Sequence, residues 1–109
     1  MILIFGGAYQ GKLAYAMERF NITESDVFNL DKWILELVRK DMNVEGEVQK
    51  FIEDNPGAIV ICNDISCGVV PVDPVMRKWR EAVGRTLAKL SQESSEVIRL
   101  FCGIATRIK

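Results

Sequence analysis

An apolar run followed at once by a glycine- and lysine-containing turn constrains this chain more than any other feature. Residues 2–5 are all apolar, which is typical of a strand buried on both faces of a parallel sheet. The next residues, from Gly6 to Lys12, match the spacing G-x-x-x-x-G-K. Glycines at such a strand-to-helix turn let several backbone N–H groups point at one phosphate. The sequence therefore predicts a phosphate-binding loop near residue 10.

The predicted nucleotide-binding residues are eight consecutive positions: Gly6, Gly7, Ala8, Tyr9, Gln10, Gly11, Lys12 and Leu13. Lys12 would reach the β- and γ-phosphates of a nucleoside triphosphate, ATP or GTP. Leu13 stands where such loops carry a Ser or Thr whose hydroxyl ligates Mg²⁺, so we expect weak metal dependence. The alternative interpretation is a glycine-rich turn followed by an ordinary surface lysine.

The rest of the chain alternates strand-like and helix-like patterns. Strands are expected near residues 1–6, 26–31, 57–63 and 96–102. Helical spacing follows Gly11, recurs from Trp33, and begins again at Asp73 and Pro74, an N-cap and first-turn pair. We predict an α/β fold of the P-loop NTPase-like type, with a mostly parallel sheet of about four strands flanked by helices. A chain of 109 residues is expected to form a single domain over residues 1–109.

Two carboxylates follow predicted strands, at the edge of a parallel sheet where ligands collect. Asp31 could hold Mg²⁺ directly or through water, and the alternative is an N-cap for the helix that follows. Asp64 could orient a substrate hydroxyl or a metal-bound water, and the alternative is ordinary turn chemistry after Asn63. Lys12, Asp31 and Asp64 are therefore the candidate catalytic residues.

Arg77, Arg80 and Gly84 lie at i, i+3 and i+7 on the predicted helix after Pro74. At about 100° per residue they share one narrow stripe. Two arginines beside a position without a side chain suit an anionic ligand, so Arg77 and Arg80 are candidate substrate-binding residues. The alternative is a solvated basic face.

Composition excludes several classes of function. The sequence contains no histidine, which rules out His-containing zinc sites and Ser-His-Asp machinery. The net charge of −1 argues against a nucleic-acid binder and against an anionic-membrane binder. No apolar run approaches the ~20 residues of a membrane span, and Met1 leads straight into the first strand. We expect a cytoplasmic protein whose cysteines (Cys62, Cys67 and Cys102), Met and Trp residues serve core packing.

Motifs in both halves of the chain resemble those of the bifunctional adenosylcobinamide kinase and adenosylcobinamide-phosphate guanylyltransferase family of cobalamin biosynthesis. The family opens with a strand and G-G-A-R-S-G-K-S, to which residues 6–13 are similar. Its later blocks, N-E-V-G-x-G-I-V-P and R-x-F-R-D-x-x-G, are similar to residues 63–71 and 77–84. Residues 27–33 look like the family's Walker B strand, with Asp31 on the aspartate.

The resemblance implies ATP- or GTP-dependent phosphorylation of a cobinamide hydroxyl. Lys12 would stabilise phosphate charge, Asp31 would hold Mg²⁺, and Asp64 would serve the metal or the acceptor. Arg77 and Arg80 would position phosphate, substrate or a neighbouring subunit. Because the family assembles into trimers, the resemblance also implies a homo-oligomer.

The chain departs from the family pattern at several places, one of which is Asp64, where the family has a Glu that is one methylene longer. Tyr9, Gln10 and Leu13 replace an Arg and two Ser residues of the loop. Between the first helix and the Asp31 strand, the family carries a further strand and the histidine that accepts GMP. The chain thus resembles a shortened member whose guanylyltransferase activity is lost. The alternative is a non-catalytic member that binds nucleotide weakly or acts as an oligomeric interaction protein.

Overall fold

The computed structural model describes residues 1–7, 11–65 and 72–109. Its described strands are β1 (Ile2–Gly6), β2 (Val27–Asn29), β3 (Ile59–Asn63), β4 (Glu96–Phe101) and β5 (Ile104–Arg107). Its described helices are α1 (Lys12–Phe20), α2 (Leu30–Arg39), α3 (Val44–Asp54) and α4 (Pro74–Glu93). The predicted α/β class with a mostly parallel sheet is confirmed.

The strands form one sheet in the order β2-β3-β1-β4-β5. Strands β1 to β4 are mutually parallel, and only the edge strand β5 runs antiparallel, to β4. β1 is central, and its side chains alternate between two apolar layers. Leu3 faces the layer shared with α2 and α4, and Ile4 faces the layer shared with α1. Burial on both faces explains the continuous apolar runs of β1 and β3.

Helix α4 begins as its sequence predicts. The Asp73 carboxylate accepts a hydrogen bond from Val75 N at 2.8 Å, and Pro74 occupies the first turn. The helix then buries Val83 and Leu90 completely against the sheet. The cap satisfies one of the free N–H groups at the helix start, so the sequence of this segment fixes where the helix begins.

Two features of the sheet differ from expectation. β5 was missed, because all four of its residues are exposed and it therefore lacks the alternating pattern of a half-buried strand. β2 was predicted to run to Asp31, but it ends at Asn29. The apolar pair Val27 and Phe28 belongs to the strand, whereas Leu30 is already the first residue of α2.

The assignment of all three cysteines to the core is only partly right. Cys62 is fully buried in β3, whereas Cys102 is exposed in the turn between β4 and β5. Cys67 lies outside the described residues. Met17 and Met42 are also exposed, at 38% and 43%, so apolar character alone does not place these side chains in the core.

Candidate functional site

Backbone geometry sets the start of the glycine loop at the end of β1. Gly6 pairs with Leu100 of β4, and a Cβ at Gly6 would lie 2.3 Å from the Leu100 carbonyl oxygen. Gly11 is the N-cap of α1 in the left-handed region, at φ +81°, where an L side chain is strained. Ala8, Tyr9 and Gln10 of the predicted loop lie outside the described residues. Glycine is therefore required at position 6 for lack of space and at position 11 for its backbone conformation.

Lys12 is not an ordinary surface lysine. Its residue is only 7% exposed, and its Nζ donates a hydrogen bond of 2.6 Å to the Gly7 carbonyl oxygen. Burial lowers the pKa of the Lys12 ammonium, while the charge of Asp31 acts in the opposite direction. The ammonium is therefore folded back onto the loop that precedes it, close to a carboxylate.

Asp31 lies in the first turn of α2, so it is neither the end of a strand nor the N-cap, which is Asn29. The residue is 6% exposed. Its Oδ1 accepts from Asn63 N and its Oδ2 accepts from Asn63 Nδ2, each at 3.3 Å. The Asp31 carbonyl oxygen accepts from Trp79 Nε1 at 2.8 Å. Asp31 is thereby held by β3 through its carboxylate and by α4 through its backbone.

The segment after β3 also reaches the glycine loop. Asp64 N donates to the Gly6 carbonyl oxygen at 2.8 Å, and Asp64 is half-buried. Burial raises the pKa of the Cys62 thiol beneath this edge, and the charges of Asp31 and Asp64 raise it further. The thiol stays protonated, and its Sγ donates to the Asn63 carbonyl oxygen at 3.3 Å. Residues 62–64 therefore lie between Gly6 of β1 and Asp31 of α2 and form hydrogen bonds with both.

The two candidate arginines lie on the first half of α4, on either side of Trp79. Arg77 is exposed and Arg80 is half-buried. Successive helical residues turn by about 100°, so Arg80 projects about 100° and Arg77 about 160° away from Trp79. Trp79 faces Asp31, so the two arginines start from other faces of α4 than the indole does, and their role as substrate ligands stays a prediction.

The described residues offer few free oxygen ligands for a magnesium ion. Mg²⁺ prefers near-octahedral oxygen ligation. Both carboxylate oxygens of Asp31 already accept hydrogen bonds from Asn63. The half-buried Leu13 side chain packs against the apolar layer of α1 and supplies no oxygen. Across residues 1–7, 11–65 and 72–109, no group of three or more Cys, Asp or Glu side chains is placed to hold a metal.

A family model described as cobinamide kinase / cobinamide phosphate guanyltransferase matches residues 27–108, more than half of the chain. The chain belongs to this family. Membership of the cobinamide kinase / cobinamide phosphate guanyltransferase family links the chain to the cobinamide chemistry of cobalamin biosynthesis. No curated protein matches the sequence.

The match begins at Val27, so the glycine loop and Lys12 precede it. It contains Asp31, Asp64, Arg77 and Arg80. The chain is also a shortened member of the family, as expected: residues 21–26 between α1 and β2 contain one short 3-10 turn and no strand.

Sequence reasoning missed two residues of this site. Trp79 was assigned to packing and Asn63 to strand termination, yet both hold Asp31 in place. Asn63 directly follows the apolar residues of β3, at the same sheet edge as Gly6. The side-chain amide of Asn63, a hydrogen-bond donor at the end of a buried strand, was the feature that could have indicated this contact. Nothing in the sequence indicates that the indole of Trp79 reaches the start of α2.

One observation bears on membranes. Within the described parts of the chain, none of the helices combines the length and the apolar character that a bilayer span requires.

Proposed function

We propose that this chain binds a nucleoside triphosphate, ATP or GTP, by its phosphates at the loop formed by residues 6–13. The observation that carries the proposal is Lys12: a buried ammonium at the first residue of a helix, directly after a glycine turn on the central strand of a parallel sheet. Such a helix N-terminus favours anions through its free N–H groups and its dipole.

In the bound state, phosphate oxygens would replace the Gly7 carbonyl as the acceptor for Lys12 Nζ. The exchange retains a hydrogen bond to the ammonium and adds opposite charge at a poorly solvated position, where electrostatic interactions are strongest. Asp31, held by Asn63, supplies a negative charge that opposes the lowering of the Lys12 pKa by burial. Because Leu13 contributes no metal ligand, binding is expected to need little Mg²⁺.

The reaction that family membership favours is transfer of the γ-phosphoryl group to a hydroxyl of cobinamide. Lys12 would neutralise charge that develops on the transferred group, and Asp64 would accept or orient the acceptor hydroxyl. Arg77 and Arg80 would hold an anionic part of a substrate, or a neighbouring copy of a homo-oligomer. Guanylyl transfer through a histidine is excluded because the sequence has none.

A second candidate is a non-catalytic family member that binds nucleotide weakly or serves as an oligomeric interaction protein. Leu13 favours it, because its side chain packs in the apolar layer and contributes no metal ligand. Phosphoryl transfer depends strongly on metal positioning, so activity is expected to be slow or absent.

A thermal-shift series with ATP, GTP and GDP, each with and without Mg²⁺, tests the proposal. A ligand at 100 times its Kd adds about 2.7 kcal/mol of stability. For a domain of this size each kcal/mol raises Tm by roughly 4–8 °C, so a shift of roughly 10–20 °C is expected with or without metal. No shift with any triphosphate would contradict nucleotide binding. A shift that appears only with Mg²⁺ would contradict the expectation that triphosphate binding needs little metal.

A further inference from the structure

Asn63 is the residue that determines where the Asp31 carboxylate lies. It donates to both carboxylate oxygens, from its backbone N and from its side-chain Nδ2, at 3.3 Å each. The backbone of Asp31 is held separately, because the Trp79 indole donates a hydrogen bond to the Asp31 carbonyl oxygen. These contacts leave the Asp31 side chain turned toward the end of β3, while Lys12 Nζ bonds to the Gly7 carbonyl oxygen.

We propose that Asn63 is a positioning residue that holds the Asp31 carboxylate back from Lys12 and thereby leaves the ammonium available to phosphate. The inference rests on the proposed function, since it concerns the affinity of the same loop for triphosphate. A buried ammonium can be satisfied by a carbonyl, by a carboxylate or by a phosphate. A carbonyl is the weakest competitor of the three, because it carries no net charge, whereas a carboxylate or a phosphate adds the attraction of an opposite charge to the hydrogen bond.

The consequence is specific. If the side-chain donor of Asn63 is removed, the Asp31 carboxylate keeps only the hydrogen bond from Asn63 N, and its Oδ2 can then turn to pair with Lys12. A triphosphate must then displace a carboxylate instead of a carbonyl oxygen, and its affinity falls. If Asp31 is also replaced by Asn, no carboxylate can compete, and the loss of the Asn63 amide no longer matters.

The test is a double-mutant cycle on the full chain, with ATP and GTP affinities measured by calorimetry in Mg²⁺-free buffer. The variants are Asn63→Ala, Asp31→Asn and their combination. Asn55→Ala is the matched control, because Asn55 Nδ2 also bonds a neighbouring group, the Phe51 carbonyl oxygen, but at the end of α3. Asn63→Leu, which is similar in size and has no side-chain donor, replaces Asn63→Ala if that variant does not fold.

Asn63→Ala is expected to weaken triphosphate binding about fivefold to tenfold in the native background, because the ligand must then compete with a carboxylate for the ammonium. In the Asp31→Asn background the same change should alter affinity by less than about twofold, and Asn55→Ala should have no effect. A purely structural Asn63 would weaken binding by the same factor in both backgrounds, which overturns the inference while leaving the proposed function intact. If the native chain binds neither ATP nor GTP, the proposed function fails and the inference fails with it.

Discussion

Replacing Gly6 with Ala should destabilise the protein strongly, because no space exists for a methyl group between β1 and β4. The added Cβ would lie 2.3 Å from the Leu100 carbonyl oxygen, and ordinary contacts start at 3.4 Å. To remove this clash, the backbones of β1 and β4 must move apart by about 1 Å, because the atom in the way belongs to the Leu100 backbone and not to a flexible side chain. Leu100 itself is 2% exposed and is also paired with β5, so β4 has little freedom to move.

Overpacking of this kind typically costs 1–3 kcal/mol. We expect Gly6→Ala to lower the free energy of unfolding by about 2–3 kcal/mol, which corresponds to roughly 10–20 °C in Tm for a domain of this size. Urea and thermal unfolding followed by circular dichroism measure both quantities. The triphosphate affinity of the folded variant should also fall, because Gly6 is the first residue of the proposed phosphate loop.

Gly57→Ala is the matched control, since nothing lies within 4 Å of a Cβ at that position. Its stability should change by no more than about 1 kcal/mol, in either direction. Equal stabilities for the Gly6 and Gly57 variants, within 0.5 kcal/mol as a rough measure, would refute the close approach of β1 and β4 at Gly6.

Three further outcomes are expected. Asp73→Ala should cost about 1 kcal/mol in urea unfolding, because it removes the N-cap of α4; an unchanged midpoint would show that the cap contributes nothing. Leu13→Ser should make triphosphate binding more dependent on Mg²⁺ than Leu13→Ala does, since both variants lose packing but only Ser adds a ligand; identical metal dependence in calorimetry would place residue 13 away from the phosphates. Incubation with α-labelled GTP should leave no acid-labile label on a denaturing gel, because the chain has no histidine; a labelled band would assign guanylyl acceptance to another residue.

The parts of the fold that were predicted correctly are those where local physics and burial agree. β1 and β3 are continuous apolar runs because both of their faces are covered by helices. The start of α4 is determined by Asp73 and Pro74, whose side chain and ring act within the first turn. In each case the residues that form the recognisable sequence pattern are also the residues that make the stabilising contacts.

The parts that were missed depend on neighbours that are distant in sequence. β5 exists because β4 offers it a hydrogen-bonding edge, and its exposed residues carry no apolar pattern of their own. Asp31 was singled out for its carboxylate, and its contacts with Asn63 and Trp79, which span 32 and 48 residues, were not foreseen. Local reasoning identifies which side chains have suitable chemistry, and the sheet order decides which of them meet.

The central claim is that Lys12 binds the phosphates of a nucleoside triphosphate, and the most direct measurement is calorimetry of ATP and GTP with the native chain, Lys12→Met and Lys78→Met. Met retains most of the buried stem of Lys12 and removes the ammonium, while Lys78 is an exposed lysine on α4. Loss of a charged hydrogen bond is worth about 1.5–3 kcal/mol, so Lys12→Met should weaken binding by roughly 10- to 100-fold and Lys78→Met should leave it unchanged. Equal affinities for the two variants would contradict the assignment of Lys12 and of the loop around it.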